Sequence, residues 1–213
     1  MPRTKSQPQN TSLYDVHPGV QMVQDWIDQL PEKTGRTLEQ WIELVKSAGP
    51  PTEKERRDWL KAKHGFGTNG AWWLAERAEG KGTEDSDPVL YLQSAAKHVE
   101  AMYAGPKEAL RPIHDKLLQL GRKLGSDIRV CPCKTIVPIY RRHVIAQIKP
   151  TTRTRIDFGL ALGKTKTPKR LIDTGGLAKG DRITHRIPLS SVAEIDDEVK
   201  LWLKTAYNLD AAK

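Results

Sequence analysis

The spacing of apolar residues changes along this chain of 213 residues, and that change limits the folds open to it. In the first part, apolar residues recur every three to four positions, as on one face of an α-helix. Between residues 144 and 189 they alternate with polar residues, as in strands that expose one face of a sheet. A last helical pattern follows. This order predicts an α+β fold, with an N-terminal helical module followed by an antiparallel sheet domain packed against helices.

The helical module is predicted to span residues 13–80 and to hold about four helices. Two of its helices begin with a capping box, in which a threonine is followed three positions later by Gln or Glu. These pairs are Thr37 with Gln40 and Thr52 with Glu55. In a capping box, both side chains satisfy backbone groups that the first turn leaves free, so each pair marks a helix start.

Two adjacent tryptophans, Trp72 and Trp73, lie in the predicted fourth helix. Neighbours in a helix cannot both face one narrow core stripe, so one of the two is predicted to lie at a domain interface or to dock a protein partner, and both are candidates for that role. The alternative is a small core rich in tryptophan. The segments 52–63 and 69–78, the second capped by Asn69, also have the lengths of a helix-turn-helix, but a helix that reads DNA should be more basic than this one.

The remaining boundaries follow from composition. Residues 1–12 are polar and aperiodic, which predicts a disordered tail. Residues 81–88 are predicted to be a linker, because this stretch is polar and follows a glycine. Residues 89–213 then form the α+β domain. The charge changes at the same boundary: residues 1–88 carry 12 Lys and Arg against 14 Asp and Glu, whereas residues 89–213 carry 23 against 12.

The α+β domain is predicted to begin with two helices and to continue with four or five antiparallel strands. Ile183 is assigned to the inner face of the sheet, with the alternating apolar residues that follow it. Residues 128–140 are assigned to an extended edge piece, because Pro132 and Pro138 cannot donate hydrogen bonds to a neighbouring strand. The last helix should begin after Asp196 and cover the apolar face of the sheet.

The most basic part of the chain is residues 129–186, which hold fourteen Lys and Arg against three Asp. Such a charge attracts polyanions, and the planar fork of arginine suits phosphate oxygens. The alternative is that these residues only keep an antiparallel sheet solvated and protect its edges. The candidate polyanion-binding residues are Arg141, Arg142, Lys149, Arg153, Arg155, Lys164, Lys166, Lys169, Arg170, Arg182 and Arg186.

A metal site is the main alternative for the two cysteines, Cys131 and Cys133. With His143 or His185 nearby they would supply ligands that zinc prefers. Their separation is not the usual Cys-x2-Cys, and a second pair of ligands is absent, so we expect buried structural thiols and no metal.

Catalytic signatures are absent, and neither catalytic residues nor a cofactor are predicted. A small-ligand-binding domain would need a concave apolar pocket between the sheet and the last helix, and an enzyme would need convergent polar groups in such a pocket. No apolar run reaches the roughly 18 residues that span a bilayer. We expect a cytoplasmic protein without a membrane partner.

Two segments carry a family resemblance. Residues 14–80, with TGRTLEQWIELVK and WLKAKHGFGTNGAWWLA, resemble the bacterial domain-of-unknown-function family 4287. Residues 89–209 resemble family 5655, some of whose members are described as predicted transport proteins; the shared segments are KTIVPIYRRHVIAQIKP, RIDFGLALG and GGLAKGDRITHRIPLSSVAEIDDEVKLWLKTAY. The family's Gly-His-Trp-Gly-like turn reads Gly176-Leu177-Ala178-Lys179-Gly180 here. Neither resemblance implies catalytic residues.

The sequence therefore predicts an uncharacterised, non-enzymatic binding protein. Its basic sheet face is predicted to contact nucleic acid or another polyanion, and its helical module to dock a protein partner. The alternatives are a small-ligand-binding or protein-interaction domain whose basic charge serves only solubility, and an enzyme with an unrecognised site.

Overall fold

The computed structural model describes residues 13–166 and 168–211; the predicted disordered tail, residues 1–12, lies outside them. The helices are α1 (Pro18–Thr34), α2 (Leu38–Ala48), α3 (Glu53–His64), α4 (Thr68–Ala78), α5 (Pro88–Met102), α6 (Arg111–Arg122) and α7 (Asp197–Ala211). The strands are β1 (Arg129–Val130), β2 (Val137–Tyr140), β3 (Val144–Pro150), β4 (Ile156–Leu160), β5 (Ile172–Asp173) and β6 (His185–Leu189). No helix in the described ranges is long and apolar enough to cross a bilayer.

The starts of α2 and α3 are fixed by the predicted capping boxes. At α2, Gln40 N donates to Thr37 Oγ1 (3.4 Å), and Thr37 N donates to Gln40 Oε1 (2.9 Å). The same reciprocal pair is present at α3, so both predictions are confirmed. The prediction for α4 is wrong: Gly67 occupies its capping position without a side-chain hydrogen bond, and Asn69 lies inside the helix.

The chain divides into two compact units. The helical unit runs from His17 to Tyr91, and the sheet unit comprises residues 13–16 and the described residues from Leu92 to Ala211. In the helical unit α4 packs against α2 and α3. Its buried core consists of Leu30, Trp41, Val45, Leu60, Ala71, Leu74, Ala75 and Ala78. Residues 81–88 contain one 3-10 turn, Thr83–Asp85.

The sheet unit contains six strands in the order β1-β2-β3-β4-β6-β5, all paired antiparallel, which confirms the α+β fold. Phe158 in β4 pairs with Ile148 on one side and with Ile187 on the other, and all three are fully buried. Helix α7 packs on β3 and β4 over this inner face. Val199 N donates to Asp196 Oδ1 (3.1 Å), so the predicted cap and the covering helix are both present.

The segment 128–140 differs from the prediction. It forms two strands joined by a turn. Strand β1 lies at the edge of the sheet, but β2 lies between β1 and β3, so the assignment to one edge piece is wrong for β2. Pro138 is tolerated there because its carbonyl accepts from Cys131 N (3.1 Å). In an antiparallel strand, the N–H and C=O of one residue point to the same neighbouring strand. The N–H that Pro138 lacks would therefore point towards Cys131, which lies just beyond the end of β1.

Ile183 also lies elsewhere than predicted. Strand β6 begins only at His185, because Thr184 leaves the alternation and its Oγ1 accepts a hydrogen bond from Leu162 N (3.2 Å). Ile183 therefore lies over Gly159 on the outer face of the sheet. A Cβ atom at Gly159 would be 2.7 Å from Ile183 Cγ2, so a larger residue at this position would collide with Ile183.

Candidate functional site

The outer face of the sheet is buried in one half and open to solvent in the other. Near the β2–β3 turn, Pro138, Ile145, Gly159 and Ile183 are buried. Towards the β3–β4 hairpin, the outward residues Lys149, Arg155 and Asp157 are charged and lie at least partly in solvent, beside the uncharged Pro188 of β6. The strand register therefore collects the accessible charges of the outer face in one place, beside the hairpin of residues 151–155.

Asp157 is the centre of this open half. Arg186 Nη1 donates to Asp157 Oδ1 (2.8 Å), and Lys149 on β3 is the cross-strand partner of Asp157. Arg155 Nε lies 3.0 Å from the same oxygen without the alignment of a hydrogen bond, and this buried donor has no acceptor among the described residues. Thr151 Oγ1 donates to Oδ2 (2.9 Å). Two arginines thus share one carboxylate, and Lys149 lies directly across the strand from it.

Arg153 at the tip of the hairpin adds a further positive charge. Its side chain is exposed, and no carboxylate in the described ranges lies within salt-bridge distance of it. We call Lys149, Arg153, Arg155 and Arg186, arranged around Asp157, the outer cluster. It contains four of the eleven predicted residues, and its cations outnumber its one carboxylate by three.

Arg182 does not belong to the outer cluster. It lies in a polar site at the other end of the sheet, where it pairs with Asp210. Its Nη2 donates to Asp210 Oδ1 (2.8 Å), and His143 Nδ1 lies 2.9 Å from the same oxygen. The backbone N–H groups of Arg142 and His143 donate to Oδ2 (2.9 and 3.0 Å). Burial raises the pKa of Asp210, but these hydrogen bonds outweigh burial and hold the pKa below its usual value.

Arg141 and Arg170 are also paired with carboxylates. Arg141 Nε donates to Asp127 Oδ2 (2.6 Å), and its guanidinium lies 3.9 Å from the centre of the Tyr207 ring. The hydrogen bond from Arg141 lowers the pKa of Asp127. Arg170 contacts Asp196 and Glu198 at the start of α7. Both arginines therefore attach parts of the sheet unit to α7 or to its neighbours.

The last three predicted residues, Lys164, Lys166 and Lys169, lie between β4 and β5 and are exposed. Since Leu160 pairs with Ala146 near the start of β3, this segment leaves the sheet at the end that carries the β2–β3 turn. The hairpin that carries Arg153 is at the opposite end. The eleven residues therefore do not form one surface: the outer cluster is one group, and the others lie around the rim of the sheet.

The comparisons with known proteins concern families only. Residues 99–210, more than half of the chain, match the family model of a domain of unknown function (DUF5655). The chain belongs to the DUF5655 family. Residues 22–79 match a second domain of unknown function (DUF4287), so both resemblances found in the sequence are confirmed. The searches of curated proteins and of solved structures found no match.

The DUF4287 segment of this DUF5655 protein contains the two tryptophans predicted to dock a partner. Trp73 is 9% exposed and packs against Trp26, with ring centroids 5.1 Å apart. Trp72 is 38% exposed, in a depression that also contains Arg57 and Lys61. The structure therefore distinguishes the two: Trp73 packs in the interior, and Trp72 is accessible.

The two cysteines of the DUF5655 segment lie at the turn between β1 and β2. Cys131 is buried, its Sγ lies 3.6 Å from Val16 O, and burial raises the pKa of its thiol to about 12. Cys133 Sγ lies 3.8 Å from the carbonyl oxygen of Cys131. Within the described ranges, His, Cys, Asp and Glu side chains form no group of three that could hold a metal ion.

Proposed function

We propose that the sheet unit binds nucleic acid or another polyanion through the outer cluster. The observation that supports this proposal is the excess of cations: Asp157 forms ion pairs with Arg155 and Arg186, and Lys149 lies directly across the strand from it. One carboxylate cannot offset the four cations of the outer cluster. Phosphate oxygens offer the negative charge that the outer cluster lacks.

The binding should depend on charge far more than on sequence. The strand register places cations side by side without a projecting helix or ribbon to enter a groove, so contacts should go to the phosphate backbone. The aromatic ring of Tyr140, at the end of β2, is half-buried, and burial raises its pKa to about 12. We therefore expect little preference for single strands, which bind by stacking on exposed aromatic rings. A cytoplasmic location, which suits two cysteines that form no disulfide, belongs to the same proposal.

The test measures the affinity of the full chain for a short DNA duplex, by fluorescence anisotropy between 50 and 200 mM salt. The test variant is Lys149→Gln/Arg153→Gln/Arg155→Gln. If these side chains neutralise two or three phosphates, the slope of log K against log salt becomes shallower by about 2. Affinity at the lowest salt should fall at least about tenfold.

The matched control is Lys97→Gln/Lys116→Gln/Lys123→Gln, which removes the same charge from exposed positions on and beside the helices α5 and α6. This triple variant should keep the slope of the wild type. Equal losses in the two variants would mean that only the net charge of the chain matters. Absence of binding by the wild type at 50 mM salt would end the proposal.

For the helical unit, we propose that a protein partner docks at Trp72. The supporting observation is that Trp72 is exposed while Trp73 packs against Trp26. A partner that co-purifies with the wild-type chain from its own cells should be lost with Trp72→Ala. It should be kept with Met22→Ala, which truncates another exposed apolar side chain of this unit. Equal recovery with both variants would contradict the proposal.

A further inference from the structure

A cleft of about 550 Å³ lies where the last turn of α7 meets the segments that follow β4 and precede β6. This volume falls within the range of sites for small molecules, roughly 300–1,000 Å³. It is separate from the outer cluster, because α7 covers the opposite face of the sheet. The cleft also lies where the sequence analysis places a small-ligand pocket, between the sheet and the last helix.

One side of the cleft is apolar. Leu162 and Ala206 are buried in its wall, while Leu177 and Leu209 line it with exposed side chains. When a ligand covers exposed leucines, the complex is stabilised by about 25 cal/mol per Å² of apolar surface removed from water. The cleft can therefore hold a hydrocarbon or aromatic group.

The turn of residues 162–165 carries a lysine that lines the cleft. Gly163 adopts a left-handed conformation (φ 60°), and Thr165 closes the turn by donating from both N (3.2 Å) and Oγ1 (2.6 Å) to Leu162 O. Lys164 lines the cleft, is exposed, and has neither a carboxylate nor a hydrogen-bond acceptor in the described part of the chain.

The carboxylates that line the cleft already have partners. Asp210 accepts from Arg182, from His143 and from two backbone N–H groups. Asp181 Oδ1 accepts from Ile183 N (3.0 Å) in its own turn. Of the two cations that line the cleft, Arg182 is paired with Asp210, and Lys164 has no carboxylate within salt-bridge distance in the described part of the chain, so Lys164 is the cation able to pair with an anion. The basic segment of residues 129–186 adds a field of the same sign.

We propose that this cleft binds a small organic anion. Its apolar body lies against Leu177 and Leu209, and its acidic group pairs with Lys164. A duplex is too wide to enter a cleft of this size, so the site is distinct from the polyanion-binding face. The sheet unit would then carry two anion sites, one flat for a polymer and one concave for a small molecule.

The test uses three probes with the same eight-carbon body: octanoate, octanol and octylammonium. Each is titrated into the full chain, and the amide resonances of residues 161–165 and 177–184 report binding. We expect octanoate to bind more tightly than octanol, and octanol more tightly than octylammonium. Lys164→Gln should weaken octanoate binding about tenfold, because a hydrogen bond to a charged group is lost, and should leave octanol binding unchanged.

Two further variants complete the design. Lys166→Gln is the matched control. It removes the same charge two positions further along the chain, at a residue that does not line the cleft, and should leave octanoate binding unchanged. Leu177→Ser, which removes apolar surface without adding a charge, should weaken octanoate and octanol alike. The proposal is overturned if octylammonium binds as tightly as octanoate, if Lys164→Gln and Lys166→Gln have equal effects, or if the cleft resonances do not shift.

Discussion

The outer cluster and the Asp210 site use the same kinds of side chain with opposite results. At the outer cluster four cations surround one carboxylate, Asp157, which pairs with two of them, so positive charge remains for a partner outside the chain. At the Asp210 site, one carboxylate accepts hydrogen bonds from four donors, including Arg182, so the charges of Arg182 and Asp210 compensate each other within the fold. The number of basic residues is therefore a poor measure of anion affinity. What matters is how many carboxylates lie within reach of them.

Burial explains the difference. The side chain of Asp210 is 1% exposed, so its charge is stable only with a complete set of donors. Asp157 is 13% exposed and its arginines are about one third exposed, so water takes part in their solvation. The Asp210 site should therefore control stability, and the outer cluster should control binding.

The largest expected effect is that of Asp210→Asn. The amide keeps the shape of the carboxylate but loses its charge, and its NH2 group faces donors, so the sheet unit should lose about 3 kcal/mol of stability. Hydrogen exchange of the β3 and β4 amides measures this for the sheet unit alone. The control is Asp197→Asn, whose side chain is 98% exposed. A loss below 1 kcal/mol would show that Asp210 does not hold the β2–β3 turn.

The second prediction is the pH dependence of the same site. The pKa of Asp210 is lowered in the folded state, so the unfolded chain takes up a proton first as the pH falls. The stabilisation is complete above the ordinary pKa of 3.8 and is lost as the pH falls through the lower, folded pKa. The stability of Asp210→Asn should fall less steeply over this range. If the stabilities of the wild type and of Asp210→Asn fall equally steeply with pH, groups other than Asp210 cause the acid sensitivity.

Much of the fold could be predicted because its signals are local. The capping boxes at Thr37 and Thr52 need only two side chains each, and both helices begin where they indicate. The position of Ile183 could not be predicted from alternation. It depends on Thr184, which bonds to Leu162 N twenty-two residues away, and on the space left by Gly159.

The candidate site was less predictable, because the partners of its cations are distant in sequence. Arg182 and Asp210 are 28 residues apart, and nothing near Arg182 in the sequence indicates their contact. One signal was present: Asp210 follows Leu203 and Ala206 at the spacing of the buried stripe of α7. A carboxylate at such a position needs partners. The pairing of Asp157 with its cations follows from strand register, which the alternation of residues does not fix.

The third prediction compares two arginines that each contact one carboxylate. Arg182→Gln removes one of four donors from buried Asp210 and should cost about 2 kcal/mol, because a buried charge is left less well paired. Arg186→Gln should cost less than about 1 kcal/mol, because Asp157 keeps Arg155 nearby and is reached by water. Affinity for duplex DNA should fall more with Arg186→Gln than with Arg182→Gln. Equal costs for the two variants would remove the proposed division between the sites.

The smallest expected change in stability, and the sharpest test of the comparison, belongs to Asp157→Asn. It should cost less than about 1 kcal/mol, because its partners are partly exposed. Yet it removes the one negative charge of the outer cluster, so affinity for duplex DNA at 50 mM salt should rise about threefold to tenfold. Asp197→Asn changes the net charge equally and should leave the affinity near that of the wild type. Weaker binding by Asp157→Asn would show instead that this carboxylate positions Arg155 and Arg186, and that a fixed arrangement of guanidinium groups matters more than excess charge.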